Sequence, residues 1–305
     1  MITRRVFSTA VWLELVSPTR QELEAVAKEY SIDQHIINDI EDPTPYPIAM
    51  TIGSTAYLVL HFPTSFVDRG AKSQEIDFIV GKGFLITVRY ENIACLYHIH
   101  QSFEAEELAA QSVRRIDGSD DLLERILRRI YRSMHEEIDA KATRLDSLEK
   151  DIFSHKEKAV VREISSMASL FMRFEKVIDR HEESLGAFLR DLLQPSFFGS
   201  EFRRRAQNIE AERSHAKAAA LNYRDVSRDL RTTNISLLTS SQNEAVKRFS
   251  MLAFFTFPLS LIAAIFTMDT RKPLVDHPYA FWIIVGIMVC VTVLLLLWFK
   301  RKRWL

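Results

Sequence analysis

The feature that most constrains this chain is a pair of long uncharged segments near its carboxyl end. Residues 249–268 (FSMLAFFTFPLSLIAAIFTM) and 279–299 (YAFWIIVGIMVCVTVLLLLWF) contain no Asp, Glu, Lys or Arg. A bilayer has a hydrocarbon core ~30 Å thick, which ~20 apolar helical residues cross. Two buried core helices are the alternative, but globular helices are seldom apolar on every side for this long. We therefore predict a transmembrane domain, residues 249–305, with two spanning helices and an outer loop at residues 269–278.

The charges flanking these segments predict their orientation. The chain has 40 basic and 40 acidic residues, but residues 249–305 hold six basic and two acidic ones, or +4, which leaves −4 for residues 1–248. Lys247 and Arg248 precede the first span and residues 300–303 (KRKR) follow the second, whereas the loop is neutral. By the positive-inside rule both termini are cytoplasmic. We expect a multi-pass protein of the cell (inner) membrane.

Several classes of protein are excluded by composition and by missing motifs. The two cysteines, Cys95 and Cys290, lie too far apart in sequence for a thiolate zinc motif or a disulfide framework. There is no phosphate-binding glycine loop, nucleophile elbow or paired-histidine motif. We therefore expect no enzyme activity and no cofactor, and we expect membrane lipid rather than nucleic acid as a partner.

The first 115 residues have the pattern of a cytoplasmic α+β domain, a mixed sheet with flanking helices. Gly53, Gly81 and Gly83 mark turns between apolar runs. Thr19 begins a helix, with Glu22 completing a capping box. The predicted strands are residues 11–15, 56–62, 76–80 and 84–89, and further helices are expected at residues 93–110.

Residues 116–248 are predicted to form a helical stalk. Long helices are expected at residues 120–153 and 158–193 because this region has almost no helix breakers. Residues 201–257 contain neither Gly nor Pro. With Ser200 as its N-cap, one helix over residues 201–268 would be ~100 Å long at 1.5 Å per residue. Such a helix would enter the membrane from the cytoplasmic stalk.

One face of the first span suits a pore shared by several chains. Two helices per chain cannot enclose an aqueous pathway, so transport requires an oligomer around an axis. The face mixes small, hydroxyl, amide and aromatic side chains, as narrow gated pores require. Ordinary packing between small residues is the alternative interpretation. The stripe consists of Asn243, Val246, Phe249, Ala253, Phe257, Ser260 and Ala264.

Asp269 is the strongest metal-binding candidate because it lies at the outer end of the first span. In an oligomer it becomes a ring of carboxylates that attracts cations; a plain interfacial acid is the alternative. Asp276 and His277 in the loop are further candidates for metal capture. His98 and His100 have a spacing that would allow a transition-metal site, although a structural pair is favoured.

Acidic residues of the stalk form a second group of candidate cation ligands. A solvated face paired with Arg and Lys at helical spacing is the favoured alternative. The residues are Glu136, Glu137, Asp139, Asp146, Glu149 and Asp151.

Taken together, these segments resemble the CorA family of divalent metal ion transporters, of the two-transmembrane GxN type. The resemblance begins with residues 243–269 (NEAVKRFSMLAFFTFPLSLIAAIFTMD), the short loop, the second span and the basic end FKRKRWL. It extends to residues 12–30 (WLELVSPTRQELEAVAKEY), 37–47 (INDIEDPTPYP) and 75–90 (EIDFIVGKGFLITVRY). Nearly the whole chain is therefore similar to the family in order and spacing.

The resemblance implies a homopentamer with a funnel-shaped cytoplasmic assembly and a pore lined by the first span, and it allows regulatory divalent ions to bind the acidic stalk residues between subunits. The family's Gly-Met-Asn entrance, which accepts hydrated magnesium, falls on Thr267, Met268 and Asp269. Aspartate brings charge where asparagine brings a neutral amide, and Arg271 and Lys272 offset the acids of the loop. The expected function is passage of Mg²⁺, or of Zn²⁺, Co²⁺ or Ni²⁺. The alternative is a membrane-anchored structural or signalling protein of the same fold with weak or no conduction.

Overall fold

The computed structural model describes residues 2–41, 44–63, 74–90, 116–154, 157–267 and 279–301. The chain divides into two compact units, Met1–Thr232 and Thr233–Leu305. The predicted domain limits at residues 115 and 248 stay predictions. The helices expected at residues 93–110 lie outside the described residues.

The first unit contains a six-stranded mixed sheet. Its strands are β1 (Ile2–Val6), β2 (Val11–Val16), β3 (Ile48–Ile52), β4 (Thr55–Phe62), β5 (Gln74–Gly81) and β6 (Phe84–Arg89). They lie in the order β1-β2-β6-β5-β4-β3. β2 and β6 are parallel, and all other neighbours are antiparallel. β4, β5 and β6 are buried on both faces, which explains their nearly continuous apolar sequences.

Two hairpins of this sheet, β3–β4 and β5–β6, each have a two-residue turn between their strands. Ile52 pairs with Thr55 across the β3–β4 turn, where Gly53 has φ +59°. Gly81 pairs with Phe84 across the β5–β6 turn, where Gly83 has φ +90°. Positive φ angles are favourable for glycine. The glycines therefore fix the register of both hairpins.

Helices α1 (Arg20–Tyr30) and α2 (Gln34–Glu41) pack on one face of the sheet. The predicted capping box is present: the Thr19 hydroxyl accepts from the Glu22 backbone N–H, and the Glu22 carboxylate accepts from the Thr19 N–H at 2.8 Å. The shared core contains Leu13, Leu15, Leu23, Val26, Ile36, Ile37, Ile40, Tyr57, Val59, Ile79, Ile86 and Val88.

Helices α3 (Ser119–Phe153) and α4 (Glu157–Leu192) pack against each other. α3 contacts β2 and β6, and α4 contacts β3 and β4. Apolar residues at three- and four-residue spacing form the buried stripe of α3. They include Ile126, Ile130, Met134, Ile138, Leu145 and Leu148. The predicted helices at residues 120–153 and 158–193 are thus confirmed to within one residue at each end.

Two further helices complete the described chain, α5 (Arg203–Thr267) and α6 (Ala280–Arg301). The predicted start of α5 after Ser200 differs from the structure, where a 3-10 turn at Gly199–Phe202 comes first. This turn buries Phe202 completely, with its ring 5.3 Å from that of Phe198. A 3-10 turn is common at the start of an α-helix. Here it precedes the helix and places the large apolar ring of Phe202 in the core.

Candidate pore helix and metal entrance

All seven residues of the predicted pore stripe lie on α5. At 3.6 residues per turn they occupy an arc of roughly 120°. Val246, Phe249 and Phe257 are 62%, 72% and 74% exposed in the single chain. Asn243, Ser260 and Ala264 are also exposed, and Ala253 is partly covered. The stripe is therefore a largely uncovered face.

The opposite face of α5 is the covered one. The partly covered positions in this region, besides Ala253, are Met251, Phe255, Pro258, Leu259 and Ile262. At helical spacing they centre about half a turn from the stripe. α6 is the other helix of the second unit in the described part of the chain. We conclude that α6 packs behind α5 and leaves the stripe free.

The apolar part of α5 has the composition of a membrane span. Within the described residues, α5 is the helix that is long and apolar enough to cross a bilayer, with a mean hydropathy of 1.7 in its most apolar window. A second apolar helix, Phe281–Leu295, falls below that length when only described side chains are counted. The backbone of α6 has 22 helical residues, so the second span stays a prediction.

The predicted metal entrance lies at the limit of what the structure describes. Thr267 is the last residue of α5. Met268, Asp269, Asp276 and His277 lie outside the described residues. Their metal-binding roles, and the pore-lining role of the stripe, stay predictions. His98 and His100 also lie outside the described residues.

The amino-terminal part of α5 is attached to α3 by ion pairs. Arg205 lies 2.9 Å from Asp120, 2.5 Å from Asp121 and 3.1 Å from Glu124. The amide of Asn208 also donates to Glu124, at 2.7 Å. The side chains of Asp121 and Glu124 are each only 9% exposed. Buried carboxylates require such partners, so Arg205 holds the two helices in one register.

A second group of charges continues this contact one turn further along α5. Glu212 lies 3.1 Å from Arg128 and 2.6 Å from Arg132. Burial raises the pKa of Glu212, but the hydrogen bonds from Arg132 and Arg128 outweigh it and place the pKa below its ordinary value. Glu212 is therefore ionised at neutral pH.

Basic residues on another side of α5 pair with α4. The Lys217 ammonium lies 2.5 Å from Asp179 and 3.0 Å from Glu182. Arg224 lies 2.5 Å from Glu175. Since α5 pairs with α3 and α4 at once, its orientation in the first unit is fixed by charge as well as by apolar packing.

Two of the acidic stalk residues have a partner within α3. Glu136 lies 3.3 Å from Arg129, and Asp139 lies 3.2 Å from His135. Burial raises the pKa of Glu137. Among the described residues, no group of three or more His, Cys, Asp and Glu is arranged to hold a metal ion. A regulatory cation site involving Glu136, Glu137, Asp139, Asp146, Glu149 and Asp151 stays a prediction.

A buried histidine joins three elements and was missed by the sequence analysis. His181 of α4 is fully buried; its Nε2 donates to the His61 carbonyl of β4 at 2.7 Å, and Nδ1 accepts from the Tyr131 hydroxyl of α3 at 3.0 Å. Since a carbonyl only accepts, Nε2 carries a proton, and burial keeps the ring neutral, so that Nδ1 is left as an acceptor. Burial lowers the pKa of His181 to about 3. No local sequence pattern marks such a residue.

The comparisons with known proteins agree with this architecture. The family model of the CorA-like Mg²⁺ transporter proteins matches residues 7–301. The chain belongs to the CorA-like Mg²⁺ transporter family. The resemblance stated from the sequence is thereby confirmed.

CorA relatives match over nearly their whole length. A Campylobacter jejuni protein named magnesium transport protein CorA is 22% identical, covering 97% of this chain and 91% of the relative. A Methanocaldococcus jannaschii protein named cobalt/magnesium transport protein CorA is 20% identical over the same shares. The solved structure of the complete CorA magnesium transporter from that organism has a TM-score of 0.81 at 18% identity, covering 97% and 92% of the two chains. The predicted fold class is confirmed.

Proposed function

We propose that this chain forms a channel for divalent metal cations, with the α5 stripe lining the pore. The observation that carries the proposal is the uncovered stripe on an apolar helix, on the side away from α6. Membership of the CorA-like Mg²⁺ transporter family supports metal ion transport. The family is described as a transporter family, which agrees with the expectation that the chain is not an enzyme.

The proposed assembly is a homopentamer in the inner membrane, with both termini in the cytoplasm. The family resemblance supplies the number of chains, and the positive-inside rule supplies the orientation. A symmetric ring brings five copies of one helix face to the axis. Phe249 and Phe257 would then form apolar constrictions, with a polar ring of Asn243 before them and a polar ring of Ser260 after them along α5.

The proposed entrance consists of Thr267, Met268 and Asp269. Five copies of Asp269 would form a ring of carboxylates, to which hard cations bind directly or through their water. The relatives are named for magnesium and for cobalt/magnesium transport, so Mg²⁺ and Co²⁺ are the first ions to test. Zn²⁺ and Ni²⁺ follow because the signature is changed.

A second function is favoured by one specific observation. Thr267 and Asp269 replace two residues of the family signature, and Arg271 and Lys272 oppose the attraction of cations to the loop. A chain of this fold with weak or no conduction would act as a membrane-anchored structural or signalling protein.

Ion flux into liposomes containing the full-length protein separates the two functions. We expect flux of at least one of Mg²⁺, Co²⁺, Zn²⁺ and Ni²⁺ above that of empty vesicles, measured in both orientations of the protein. Its absence for all four ions would exclude transport and leave the second function.

Three variants test the entrance. Asp269→Ala should lower flux or change the order of the ions, because it removes the carboxylate ring. Asp269→Asn restores the amide of the family signature and should retain flux with an altered order. Asp229→Asn, an exposed acid on α5, is the matched control and should behave as wild type. An unchanged ion order in both Asp269 variants would remove Asp269 from the entrance.

A further inference from the structure

We propose that an anionic phospholipid of the cytoplasmic leaflet binds between α5 and α6. Its acyl chain occupies an apolar groove between the two helices, and its phosphate contacts the basic residues at one end of that groove. The site lies entirely within the second unit and is distinct from the proposed pore stripe.

The groove, hereafter the α5–α6 groove, has an apolar lining and a volume of 530 Å³. This volume lies within the ~300–1,000 Å³ of sites that bind small molecules. A lipid acyl chain is apolar along its whole length, so it matches an apolar lining that lies within the bilayer. The lining residues are Phe254, Val291, Leu294, Leu295 and Trp298.

Basic residues of both helices lie toward the same end of this groove. Phe254 lines the groove together with Val291, Leu294, Leu295 and Trp298, so α5 and α6 run antiparallel alongside each other there. Lys247 precedes Phe254 by seven residues, two helical turns or ~10 Å on the same side of α5, with Arg248 next to it, and Arg301 follows Trp298 by three residues, or ~4.5 Å. Lys247, Arg248 and Arg301 are all exposed. A phosphate at this end would therefore lie among bases from two helices.

The positive charge at the basic end of the α5–α6 groove favours an anionic phospholipid over a second copy of the chain as the occupant. Another copy would bring the same bases and add like charge, whereas an anionic headgroup neutralises them. Glu244 is the acid in contact, 2.7 Å from Arg248, but the two side chains are 63% and 76% exposed. Exposed ion pairs of this kind contribute little to stability. Phosphate can therefore replace Glu244 as the partner of Arg248.

Trp298 provides a direct test because it lines the groove. In full-length protein carrying Trp282→Phe and Trp304→Phe, the remaining tryptophans are Trp298 and Trp12, and Trp12 is only 1% exposed in the first unit. The protein is reconstituted in vesicles with phosphatidylglycerol or phosphatidylcholine brominated on the acyl chains. We expect brominated phosphatidylglycerol to quench Trp298 at a several-fold lower mole fraction, and this preference to fall from low to high salt.

The variants Lys247→Gln and Arg301→Gln should each reduce the preference by about fivefold, because each removes one base from the headgroup. The double variant Arg271→Gln/Lys272→Gln removes two bases of the predicted outer loop and should leave the preference unchanged. Equal quenching by both lipids, or a preference that neither variant changes, would overturn the proposal. Absence of quenching by either lipid would also overturn it, because a second copy of the chain would then cover the groove.

Discussion

His181 offers a quantitative test of the buried junction between α3, α4 and β4. Its neutral ring donates to the His61 carbonyl and accepts from the Tyr131 hydroxyl, and its pKa is about 3. Glutamine can keep the donor at the position of Nε2 but has no acceptor at that of Nδ1. The variant His181→Gln should therefore be less stable at neutral pH by about 1–3 kcal/mol, the cost of an unpaired buried hydroxyl.

His181→Gln also removes the part of the pH dependence of the unfolding free energy that comes from His181, and the sign of this part follows from its pKa. In the unfolded chain a histidine has a pKa of about 6.5, so it gains a proton there before the folded ring does. The contribution of His181 is thus complete above pH ~6.5 and is lost as the pH falls toward about 3. Between pH ~7.5 and ~5.5 the contribution of His181 to the free energy of unfolding falls by about 1.4 kcal/mol. The difference in unfolding free energy between wild type and His181→Gln should shrink by that amount.

Urea unfolding of the full-length protein in detergent, followed by the fluorescence of the buried Trp12, measures this difference. Comparing the two proteins at each pH cancels the titration of other groups, including Asp77, whose pKa is raised by burial and by Glu75. His215→Gln, an exposed histidine of α5, is the control and should keep the wild-type pH dependence. Parallel pH curves for wild type and His181→Gln would refute the neutral, buried histidine.

Three further predictions concern α5 and the sheet domain. Arg205→Gln should destabilise the first unit by about 1–3 kcal/mol, because the buried Asp121 and Glu124 lose their ion pair with α5 and keep only Arg125 and Arg128 of α3 as bases; Arg231→Gln, on the exposed side of α5, should change urea stability little, and equal effects would contradict the ion-pair argument. Thr19→Ala should cost about 1 kcal/mol by loss of the capping box, whereas Thr232→Ala in mid-helix should not; no loss at Thr19 would show that the cap is dispensable. In protein lacking Cys95 and Cys290, a water-soluble thiol reagent should modify Ser260→Cys on the stripe but not Ile262→Cys on the partly covered face, and the reverse result would place the pore elsewhere.

The sequence predicted the central strands because both of their faces are buried. β4, β5 and β6 read as apolar runs, with Gly53 in the turn before β4 and Gly83 in the turn between β5 and β6. β1 (ITRRV) and β3 (IAMTI) were missed because they lie at the two edges of the sheet, where burial is partial and the pattern is short. The eight-residue α2 was missed for a similar reason, since periodicity needs more than two turns to be recognised.

The stripe on α5 could be predicted because helical spacing alone decides which residues share a face. The side of α5 that α6 covers could not be predicted from the sequence, because it depends on contact between two separate segments. The same applies to the ion pairs of Arg205 and to the pair formed by Glu14 and Arg89, 2.8 Å apart on parallel strands. Sequence periodicity indicates where a charge lies on its own helix or strand, but not which neighbour it meets.

The parallel pairing of β2 with β6 has a consequence for synthesis of the chain. Val11 pairs with Phe84 and Val16 with Arg89, so the pairing of β2 with β6 cannot be completed until residue 89 has been translated. From Arg89 to Phe249, the first residue of the apolar run, the ribosome adds 160 residues (249 − 89), which takes about 8–32 s at ~5–20 residues per second. Sheets dominated by distant pairings fold within milliseconds to seconds. The central strands are therefore paired before the ribosome has synthesised the apolar run.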